Sequence, residues 1–449
     1  MLYYSTRKNR KATGVSFAAA ALTGLAPDGG LYVPETLPPY SPGVRNSLGS
    51  MTFQDIAFET IKPYVTPDIP DAVLGDLVQD AYSFDAPLLH VGDRLVLELF
   101  HGPTAAFKDF GARFMARAFA YLRRGEDKAL HILVATSGDT GGAVAHGFYG
   151  VDGVKVTVLY PKGQVTPLQE RQIAGLGGNV SALAVEGSFD DCQRLVKTAF
   201  NNEDLKKRLV LSSANSINVA RLIPQAVYYA AAAGKAFTGT IDALKTGEAV
   251  GKFRAVEKQP ITFCVPSGNF GNLTAGLYAL EMGAPIRGFI AATNVNKSIP
   301  DYLETGYYEA RFSKATISNA MDVGSPSNFE RLTAHWFSLK ELRRMVRGVS
   351  VSDDNTRKTI AEVHKTTGYF LDPHTAVGWR GADQVYAEHN VPTGPLAVLA
   401  TAHPAKFAET VQPLTGPIPI PPSLSKAIER KPNAQTIPAE ISALLEALS

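Results

Sequence analysis

The 449-residue sequence is poor in cysteine, in net charge and in long apolar runs. Its two cysteines, Cys192 and Cys264, are too few for a disulfide framework, and we expect a cytoplasmic protein. The 44 basic and 42 acidic residues leave a net charge of +2, which argues against nucleic acid as a partner. No run approaches the roughly 20 apolar residues that span a bilayer, so we expect a soluble protein without a membrane partner.

The N-terminus resembles a secretory signal only superficially. Four basic residues between positions 7 and 11 precede an apolar stretch at 15–26. Polar and glycine residues dilute that stretch, however, and Pro27 follows the best candidate cleavage site. We therefore expect that the segment is retained.

The chain contains a regular alternation of short apolar segments with glycine-rich turns and helical patterns. This alternation predicts an α/β fold with two lobes built on doubly covered, largely parallel sheets. The predicted strands lie at 95–100, 132–136, 155–160, 209–212, 261–265, 286–292 and 396–401. We predict a small N-terminal domain over 1–90, a core over 91–412 and a C-terminal tail over 413–449. The polar stretch 234–258 would separate core lobes at about 91–240 and 255–412.

The segment at 101–115, His-Gly-Pro-Thr-Ala-Ala-Phe-Lys-Asp-Phe-Gly-Ala-Arg-Phe-Met, is the most informative one. It follows a predicted buried strand, and a helix is predicted to begin near Ala105. Lys108 would then lie in the first helical turn, where the helix dipole disfavours an ammonium group and Phe107 would desolvate it. Both effects favour the neutral amine, which attacks carbonyls and forms Schiff bases. The alternative is an ordinary surface lysine.

Six separated blocks follow one another in the order found in a known enzyme family. They are Gly-Leu-Ala-Pro-Asp-Gly-Gly-Leu-Tyr-Val-Pro at 24–34, the lysine segment, Thr-Ser-Gly-Asp-Thr-Gly at 136–141, Ser-Ala-Asn-Ser-Ile-Asn at 213–218, Pro-Ser-Gly-Asn-Phe-Gly-Asn at 266–272 and Thr-Ala-His-Pro-Ala-Lys at 401–406. Over nearly its whole length the chain resembles the threonine synthases. The resemblance implies a tryptophan-synthase-β-like fold, pyridoxal phosphate as cofactor, and Lys108 as the catalytic residue that holds it in a Schiff base.

Two loops share the pattern Ser-Gly-[Asp/Asn]-x-Gly, each between a predicted strand and a helix. Backbone N–H groups and the helix dipole converge at such a turn and bind anions, although a plain βα turn is the alternative. Asn269 can donate a hydrogen bond to a phosphate, whereas Asp139 would repel it or simply cap a helix. We therefore predict that the cofactor phosphate contacts Ser267, Gly268, Asn269, Phe270, Gly271 and Asn272. The resemblance agrees, and it implies that Thr401 faces the pyridine nitrogen.

The resemblance further implies the substrate O-phospho-L-homoserine, whose phosphate needs local cations because the net charge is small. Ser137 and Thr140 would hold its carboxylate, provided that Asp139 points away or bonds to a donor. The complete set of predicted substrate-binding residues is Thr104, Arg113, Ser137, Thr140, Lys162, Ser216, Asn218 and Arg221.

The implied reaction converts O-phospho-L-homoserine and water to L-threonine and phosphate through carbanion intermediates that the cofactor stabilises. A phospho-lyase that releases 2-oxobutanoate would need the same residues and stays open, as does a catalytically silent cofactor-binding protein. A nucleotide-binding protein is disfavoured, because neither Gly-x-Gly-x-x-Gly nor a Walker loop is present.

His374 lacks neighbours at the spacing of metal ligands, so we expect it to be structural and expect no metal. We expect a monomer or a small homo-oligomer.

Overall fold

A computed structural model describes residues 1–7, 13–241, 258–335, 338–389 and 394–448. Three of the four basic residues near the start, Lys8, Arg10 and Lys11, lie outside the described residues. So does most of the polar stretch that was predicted to separate the lobes, although its first residues, from Gly234, are helical. Within the described residues, none of the helices combines the length and the apolar character that crossing a bilayer requires.

The strands of the described residues are, in chain order, β1 (Tyr3–Ser5), β2 (Tyr32–Pro34), β3 (Leu88–Val91), β4 (Arg94–Glu98), β5 (Leu130–Ala135), β6 (Val154–Pro161), β7 (Val180–Glu186), β8 (Val210–Ser213), β9 (Ile261–Pro266), β10 (Ile286–Thr293), β11 (Val346–Ser350), β12 (Leu396–Ala400) and β13 (Gln435–Pro438).

The α-helices are α1 (Phe17–Thr23), α2 (Pro42–Ser47), α3 (Phe53–Val65), α4 (Asp71–Ala81), α5 (Lys108–Leu122), α6 (Asp139–Phe148), α7 (Pro167–Ala174), α8 (Phe189–Phe200), α9 (Glu203–Arg208), α10 (Val219–Leu222), α11 (Ala226–Thr238), α12 (Gly271–Glu281), α13 (Ser298–Thr305), α14 (Phe329–His335), α15 (Leu339–Met345), α16 (Asp353–Thr367), α17 (Pro373–His389), α18 (Ala408–Thr415), α19 (Pro422–Glu429) and α20 (Ile441–Ala447). Short 3-10 helices occupy Ile223–Gln225, Asn319–Met321 and Pro404–Phe407.

The larger sheet has six strands in the order β11-β10-β9-β12-β4-β3. All neighbours are parallel except β3, which forms an antiparallel hairpin with β4 at one edge. The central strands β9 and β12 are buried along their whole length. Continuous burial is expected for parallel strands that helices cover on both faces.

The smaller sheet has five parallel strands in the order β13-β7-β6-β5-β8. The predicted α/β fold with largely parallel sheets is therefore confirmed, and all seven predicted strands are present, with ends within two residues of the prediction. The predicted lobe boundaries stay a prediction, although strand pairing crosses them. Strand β4, from the proposed first lobe, belongs to the larger sheet, and β13, from the proposed tail, completes the smaller one.

The helix that begins at Lys108 is anchored to the N-terminal region by an aromatic cluster. Phe110 on α5 packs against Phe53, Tyr82 and Phe84 on one side and against Tyr228 on the other. Burial of aromatic side chains is among the largest apolar contributions to a core. The first turn of α5 is thereby fixed in space beside the carboxyl ends of both parallel sheets.

Candidate active site

A pocket lies between the two sheets, at the carboxyl ends of their strands. Its walls include the first turn of α5, the turn after β5, the turn after β9, and Thr401 after β12. It encloses about 910 Å³ of space, including its open mouth. Clefts at the carboxyl ends of parallel strands are the usual ligand sites of α/β proteins, so this pocket is the candidate active site.

Lys108 is the first residue of α5 and lies buried in the wall of this pocket. Burial lowers the pKa of its ammonium group to about 8, with Asp139 opposing the shift and Arg221 and Lys406 adding to it. A substantial fraction of Lys108 is therefore neutral near physiological pH, in the form that attacks a carbonyl.

The turn before Lys108 is held by a short polar network. The side chain of Asp109 accepts hydrogen bonds from the backbone N–H and the hydroxyl of Thr104, at 2.8 and 2.7 Å. Gly102 must be glycine, since a Cβ there would lie 2.4 Å from an oxygen of Asp109. Ala105 adopts a positive φ of 52°, which non-glycine residues rarely do, and the helix therefore begins at Lys108 rather than at Ala105 as predicted.

Thr401 is brought to the lysine turn by strand pairing. Strand β12 runs parallel to β4, and the residues that follow the two strands stay paired. The N–H of Phe107 donates to the carbonyl of Thr401 at 2.9 Å, and the N–H of His403 donates to the carbonyl of Ala105 at 3.0 Å. Two segments almost 300 residues apart in sequence thus form one rigid side of the pocket.

Asp139 carries a buried negative charge that groups outside the pocket lining compensate in part. Its Oδ1 lies 2.7 Å from the Nζ of Lys406 and accepts a 2.9 Å hydrogen bond from Gln169. Its Oδ2 lies 3.9 Å from the Nζ of Lys108. Burial alone would raise the pKa of Asp139, but Lys406 and Lys108 together hold it below its usual range. Asp139 therefore bonds to a donor, which is the condition that its place in the predicted carboxylate loop required.

The turn after β9 is shaped for an anion. Gly268 lies against backbone, because a Cβ there would be 2.8 Å from the Cα of Met321. The Oδ1 of Asn272 accepts hydrogen bonds from the hydroxyls of Tyr228 and Tyr229, at 2.6 and 2.7 Å. This fixes the amide with Nδ2 buried and without a partner among the described residues. An unused donor at the N-terminus of α12 is suited to a phosphate oxygen.

The side chain of Asn269 has a different task from the predicted one. Its Nδ2 donates to the hydroxyl of Ser216, and its Oδ1 accepts from the backbone N–H of Ser327. The amide that was expected to donate to a phosphate is thus committed to joining two neighbouring segments. Asn269 still lines the pocket, so its contribution to a phosphate site comes from its backbone.

Arg221 is a buried cation in the same pocket. It is 1% exposed, and its Nη1 donates to the carbonyl of Ala214 at 2.7 Å. Its Nε has no partner, and no carboxylate pairs with it, within the described parts of the chain. Burial lowers the pKa of the guanidinium to about 10, so it remains charged at neutral pH. A buried, uncompensated guanidinium beside a cavity is a strong candidate for binding an anionic ligand.

Comparison with known proteins identifies the family. Residues 90–401 match the family of pyridoxal-phosphate dependent enzymes, residues 2–82 match the threonine synthase N terminus, and residues 375–447 match the threonine synthase C-terminal family. A threonine synthase of Escherichia coli K12 is 41% identical over 438 residues, which cover 96% of this chain and 95% of that protein. The chain belongs to the threonine synthase family.

Solved structures of threonine synthases have the same fold. The crystal structure of the Escherichia coli enzyme aligns with a TM-score of 0.88 at 39% identity, covering 100% of this chain and 99% of that one. A threonine synthase from Brucella melitensis, solved with PLP bound, aligns with a TM-score of 0.86 at 36% identity, covering 100% and 98%. The resemblance seen in the six sequence blocks is thereby confirmed.

The pocket fits pyridoxal phosphate, the cofactor of this enzyme family. Lys108 presents a buried amine, and the unpartnered Nδ2 of Asn272 lies at the N-terminus of α12. Gly268 packs closely against the backbone of Met321 and lines the pocket. Thr401 lines the pocket as well.

Most of the predicted site residues line this pocket. The pocket is lined by Lys108, Ser137, Thr140, Ser216, Arg221, Ser267, Gly268, Asn269, Phe270, Gly271, Asn272 and Thr401. Four predicted substrate-binding residues do not line it, and each is committed elsewhere: Thr104, Arg113, Lys162 and Asn218.

Two of these four are cations that the structure places away from the pocket. Arg113 follows Lys108 by five residues, which is about 140° around the helix. Its guanidinium donates instead to the carbonyls of Asp80 and Ala81, both at 2.7 Å. Lys162 is half exposed and pairs with Glu186 at 3.2 Å.

The other two, Thr104 and Asn218, are buried framework residues. Thr104 binds Asp109, as described, and so shapes the lysine turn. The amide of Asn218 donates to the carbonyls of Ala21 and Ser213, at 2.8 and 2.9 Å, and accepts from the N–H of Ala220. It therefore caps α10, the helix that carries Arg221, without reaching the pocket.

His374 lines the pocket as a hydrogen-bonded structural group. Its Nδ1 lies 2.7 Å from a carboxylate oxygen of Asp372, and its Nε2 accepts a 3.1 Å hydrogen bond from the N–H of Ala320. Nε2 thus holds the segment that includes Met321, and Nδ1 fixes the ring against Asp372. In the described portions of the chain, no group of three or more His, Cys, Asp or Glu side chains could hold a metal ion.

Sequence reasoning missed Lys406 and Gln169. Lys406 was within a quoted sequence block, but only the spatial pairing of β12 with β4 brings it behind Asp139. Gln169 occupies the N3 position of α7, where its side chain also accepts from the N–H of Thr166 in a capping box. Helix capping was the only available signal at this position, and it does not indicate a pocket.

Proposed function

We propose that this chain is a threonine synthase, which converts O-phospho-L-homoserine and water to L-threonine and phosphate. One observation carries the proposal: a single pocket combines an amine of lowered pKa with two sets of anion-binding groups. The turn that ends at Asn272 forms one set, and Arg221 forms the other. A phosphorylated amino acid, bound beside a phosphorylated cofactor, requires two such sets.

Lys108 would hold pyridoxal phosphate covalently through Nζ, with the 267–272 turn binding its phosphate and Thr401 near its ring nitrogen. When bound, pyridoxal phosphate supplies an electron-withdrawing ring that stabilises negative charge developing on the substrate carbons. When not bonded to the cofactor, Nζ of Lys108 would be available as a base in this pocket. Its pKa of about 8 suits it to accept a proton and to return one near neutral pH.

Arg221 would bind the phosphate of the substrate. Its guanidinium is buried and has an unused Nε–H, so binding a dianion would satisfy both its charge and its open donor. Ser137 and Thr140, at the N-terminus of α6, would bind the substrate carboxylate. Asp139 does not oppose this, because Lys406 compensates its charge.

The lining of the pocket includes apolar side chains. Phe189 from α8, Met321 and Val323 are among them. Apolar groups in a pocket reduce the access of water, which would protect a carbanion-like centre from premature protonation. The reaction nevertheless consumes one water, so the groups around Lys108 must admit a single molecule at the proper carbon.

A product assay tests the proposal. The purified protein, loaded with pyridoxal phosphate, is incubated with O-phospho-L-homoserine, and phosphate, threonine and 2-oxobutanoate are quantified together. We expect one threonine for each phosphate, no release with Lys108→Ala, and undiminished release with Lys162→Met, a matched lysine outside the pocket. Phosphate released together with 2-oxobutanoate would assign a phospho-lyase instead. The absence of any release that depends on Lys108 would contradict both assignments.

We further infer that the protein acts in the cytoplasm. Cys192 and Cys264 are both buried and unpaired, as is usual in a reducing compartment. The oligomeric state, predicted as a monomer or a small homo-oligomer, stays a prediction.

A further inference from the structure

A second buried ammonium group lies directly behind the proposed catalytic lysine. The side chain of Lys406 is fully buried, with 0% exposure. Its Nζ lies 2.7 Å from Oδ1 of Asp139 and donates to the carbonyl of Thr104 at 2.9 Å. Lys406 does not line the pocket, so it cannot touch a ligand there. A buried lysine is costly unless it is paired, and its presence here calls for a reason.

The carboxylate between the two lysines has two distinct sides. Oδ1 of Asp139 is used by Lys406 and by Gln169, at 2.7 and 2.9 Å. Oδ2 faces Lys108 across 3.9 Å, which is too long for a hydrogen bond but close enough for a strong Coulomb interaction in a buried site. The three groups form a row in which the charges alternate as positive, negative and positive.

We propose that Lys406 is a positioning residue, which keeps Asp139 charged and oriented while its own positive charge prevents Asp139 from fixing a proton on Lys108. The value of this for catalysis rests on the proposed function, since a neutral Nζ matters if Lys108 serves as nucleophile and base. Without Lys406, the charge of Asp139 would raise the proton affinity of Lys108. The positive charge of Lys406 offsets part of this effect.

The charges around the row agree with this role. Lys108 is faced by Asp139 from α6, by Arg221 from α10 and by Lys406 from the 3-10 helix after β12. His374, from α17, also acts on Asp139. Burial is the largest cause of the lowered pKa of Lys108, Asp139 opposes it, and the two cations support it. Removing Lys406 or Asp139 should therefore shift the proton affinity of Lys108 in opposite directions.

The test measures the amine of Lys108 directly in the full-length protein. Before pyridoxal phosphate is added, the rate of acetylation of Lys108 by acetic anhydride is followed against pH by peptide mass spectrometry. Wild type is compared with Lys406→Met, Asp139→Asn and the double variant. We expect the midpoint to rise by about one pH unit in Lys406→Met, to fall in Asp139→Asn, and to return close to the wild-type value in the double variant.

Two further variants separate charge from structure. Lys406→Arg keeps the positive charge, so its midpoint should stay closer to wild type than that of Lys406→Met. Lys162→Met removes an exposed lysine outside the pocket and should leave the midpoint unchanged. With pyridoxal phosphate bound, the absorbance of the cofactor is titrated against pH, and its titration should be displaced in Lys406→Met but not in Lys162→Met.

A folded Lys406→Met protein with the wild-type midpoint would overturn the proposal. If circular dichroism shows that this variant does not fold, the acetylation midpoints of Asp139→Asn and of the double variant still test the proposal, because these two proteins differ only at Lys406. Their midpoints should differ by about one pH unit, and equal midpoints would overturn the proposal. Failure of the proposed function is distinguishable, since it would be seen in the product assay of wild type and would leave the acetylation midpoints unaffected.

Discussion

The loops at 137–141 and 267–271 share one sequence pattern and each joins a strand to a helix, yet their electrostatics differ. Each follows a buried parallel strand, and helix α6 or α12 begins within it. The first loop presents Asp139, whose charge is compensated by Lys406. The second presents Asn269, whose amide joins two neighbouring segments, followed by Asn272 with its free Nδ2.

This difference agrees with the proposal that the two loops bind different ligands. A strand, a glycine turn and a helix N-terminus determine where an anion can bind. The side chains behind the turn determine which anion is accepted, and whether a proton is exchanged there. The second loop has no acidic side chain of its own and suits a permanent phosphate. The first has a balanced ion pair next to Lys108 and suits the reacting part of a substrate.

The largest expected effect comes from giving the second loop a negative charge. Asn272→Asp would place a carboxylate against the cofactor phosphate, and juxtaposed like charges cost several kcal/mol, so affinity should fall by roughly 100-fold or more. Titration of the protein with pyridoxal phosphate, followed by absorbance, measures this. Asn269→Asp is the matched control, because that side chain points to Ser216 and Ser327. Equal losses in the two variants would mean that Asn272 has no special role.

Removing the positive charge of Arg221 should weaken substrate binding and leave cofactor binding intact, which is the opposite of the effect expected for Asn272→Asp. Arg221→Gln deletes the buried guanidinium, and hydrogen bonds to charged groups are worth about 1.5–3 kcal/mol, so KM for O-phospho-L-homoserine should rise roughly 10–100-fold. Affinity for pyridoxal phosphate should be retained. Steady-state kinetics and the same absorbance titration distinguish the two. If cofactor affinity fell while KM held, Arg221 would belong to the cofactor site and our assignment of the two anions would be reversed.

A methyl group added at Gly268, in the second loop, should destabilise the protein more than one added at Gly142, just after the first loop. In Gly268→Ala the new Cβ would lie 2.8 Å from the Cα of Met321, against backbone that cannot easily move. We expect a loss of about 2 kcal/mol in the free energy of unfolding. In Gly142→Ala, on α6, the nearest atom is 3.3 Å away on the side chain of Gln172, and we expect little change. Thermal unfolding of both variants measures the difference, and a stable Gly268→Ala protein would contradict this packing argument.

The smallest expected effect concerns the support of the second loop. Ser216→Ala removes the acceptor for Nδ2 of Asn269, and the loss of one such hydrogen bond costs about 1 kcal/mol. Urea unfolding should show this decrease, with cofactor affinity changing by only a few-fold. Exposed Ser181→Ala serves as the control for a serine-to-alanine change. A decrease no larger than that of the control would show that the Ser216 contact adds nothing to stability.

The strand pattern was predictable because buried parallel strands are long apolar runs. Six strands of the described residues escaped prediction. One of them, the seven-residue strand β7, has an apolar sequence interrupted by Ser181. The other five are short or irregular: β1, β2, β3 and β13 have three or four residues, and β11 contains Gly348 at the edge of its sheet. Such strands are stabilised by their neighbours rather than by their own composition. The strand pairings that cross the predicted lobe boundaries were not predictable, because pairing between distant strands leaves no local signal.

In the candidate site, turns were easier to predict than side-chain directions. The glycine loops and Lys108 follow from local chemistry. Arg113 was misplaced because its direction depends on helix rotation, and Asn269 because its amide finds partners that are distant in the chain. Lys406 could be found only through the pairing of β12 with β4, since its contact with Asp139 spans 267 residues of sequence.

The position of β13 at the edge of the smaller sheet has a consequence for synthesis on the ribosome. Strand β7 ends at Glu186, and the strand that pairs with its free edge ends at Pro438, some 250 residues later. At a synthesis rate of roughly 5–20 residues per second, the edge of β7 stays without β13 for on the order of 10–50 seconds. Throughout this interval the nascent sheet offers unpaired backbone groups to any passing strand. The growing chain is therefore most exposed to misassembly, and most dependent on chaperones, until its last few residues emerge.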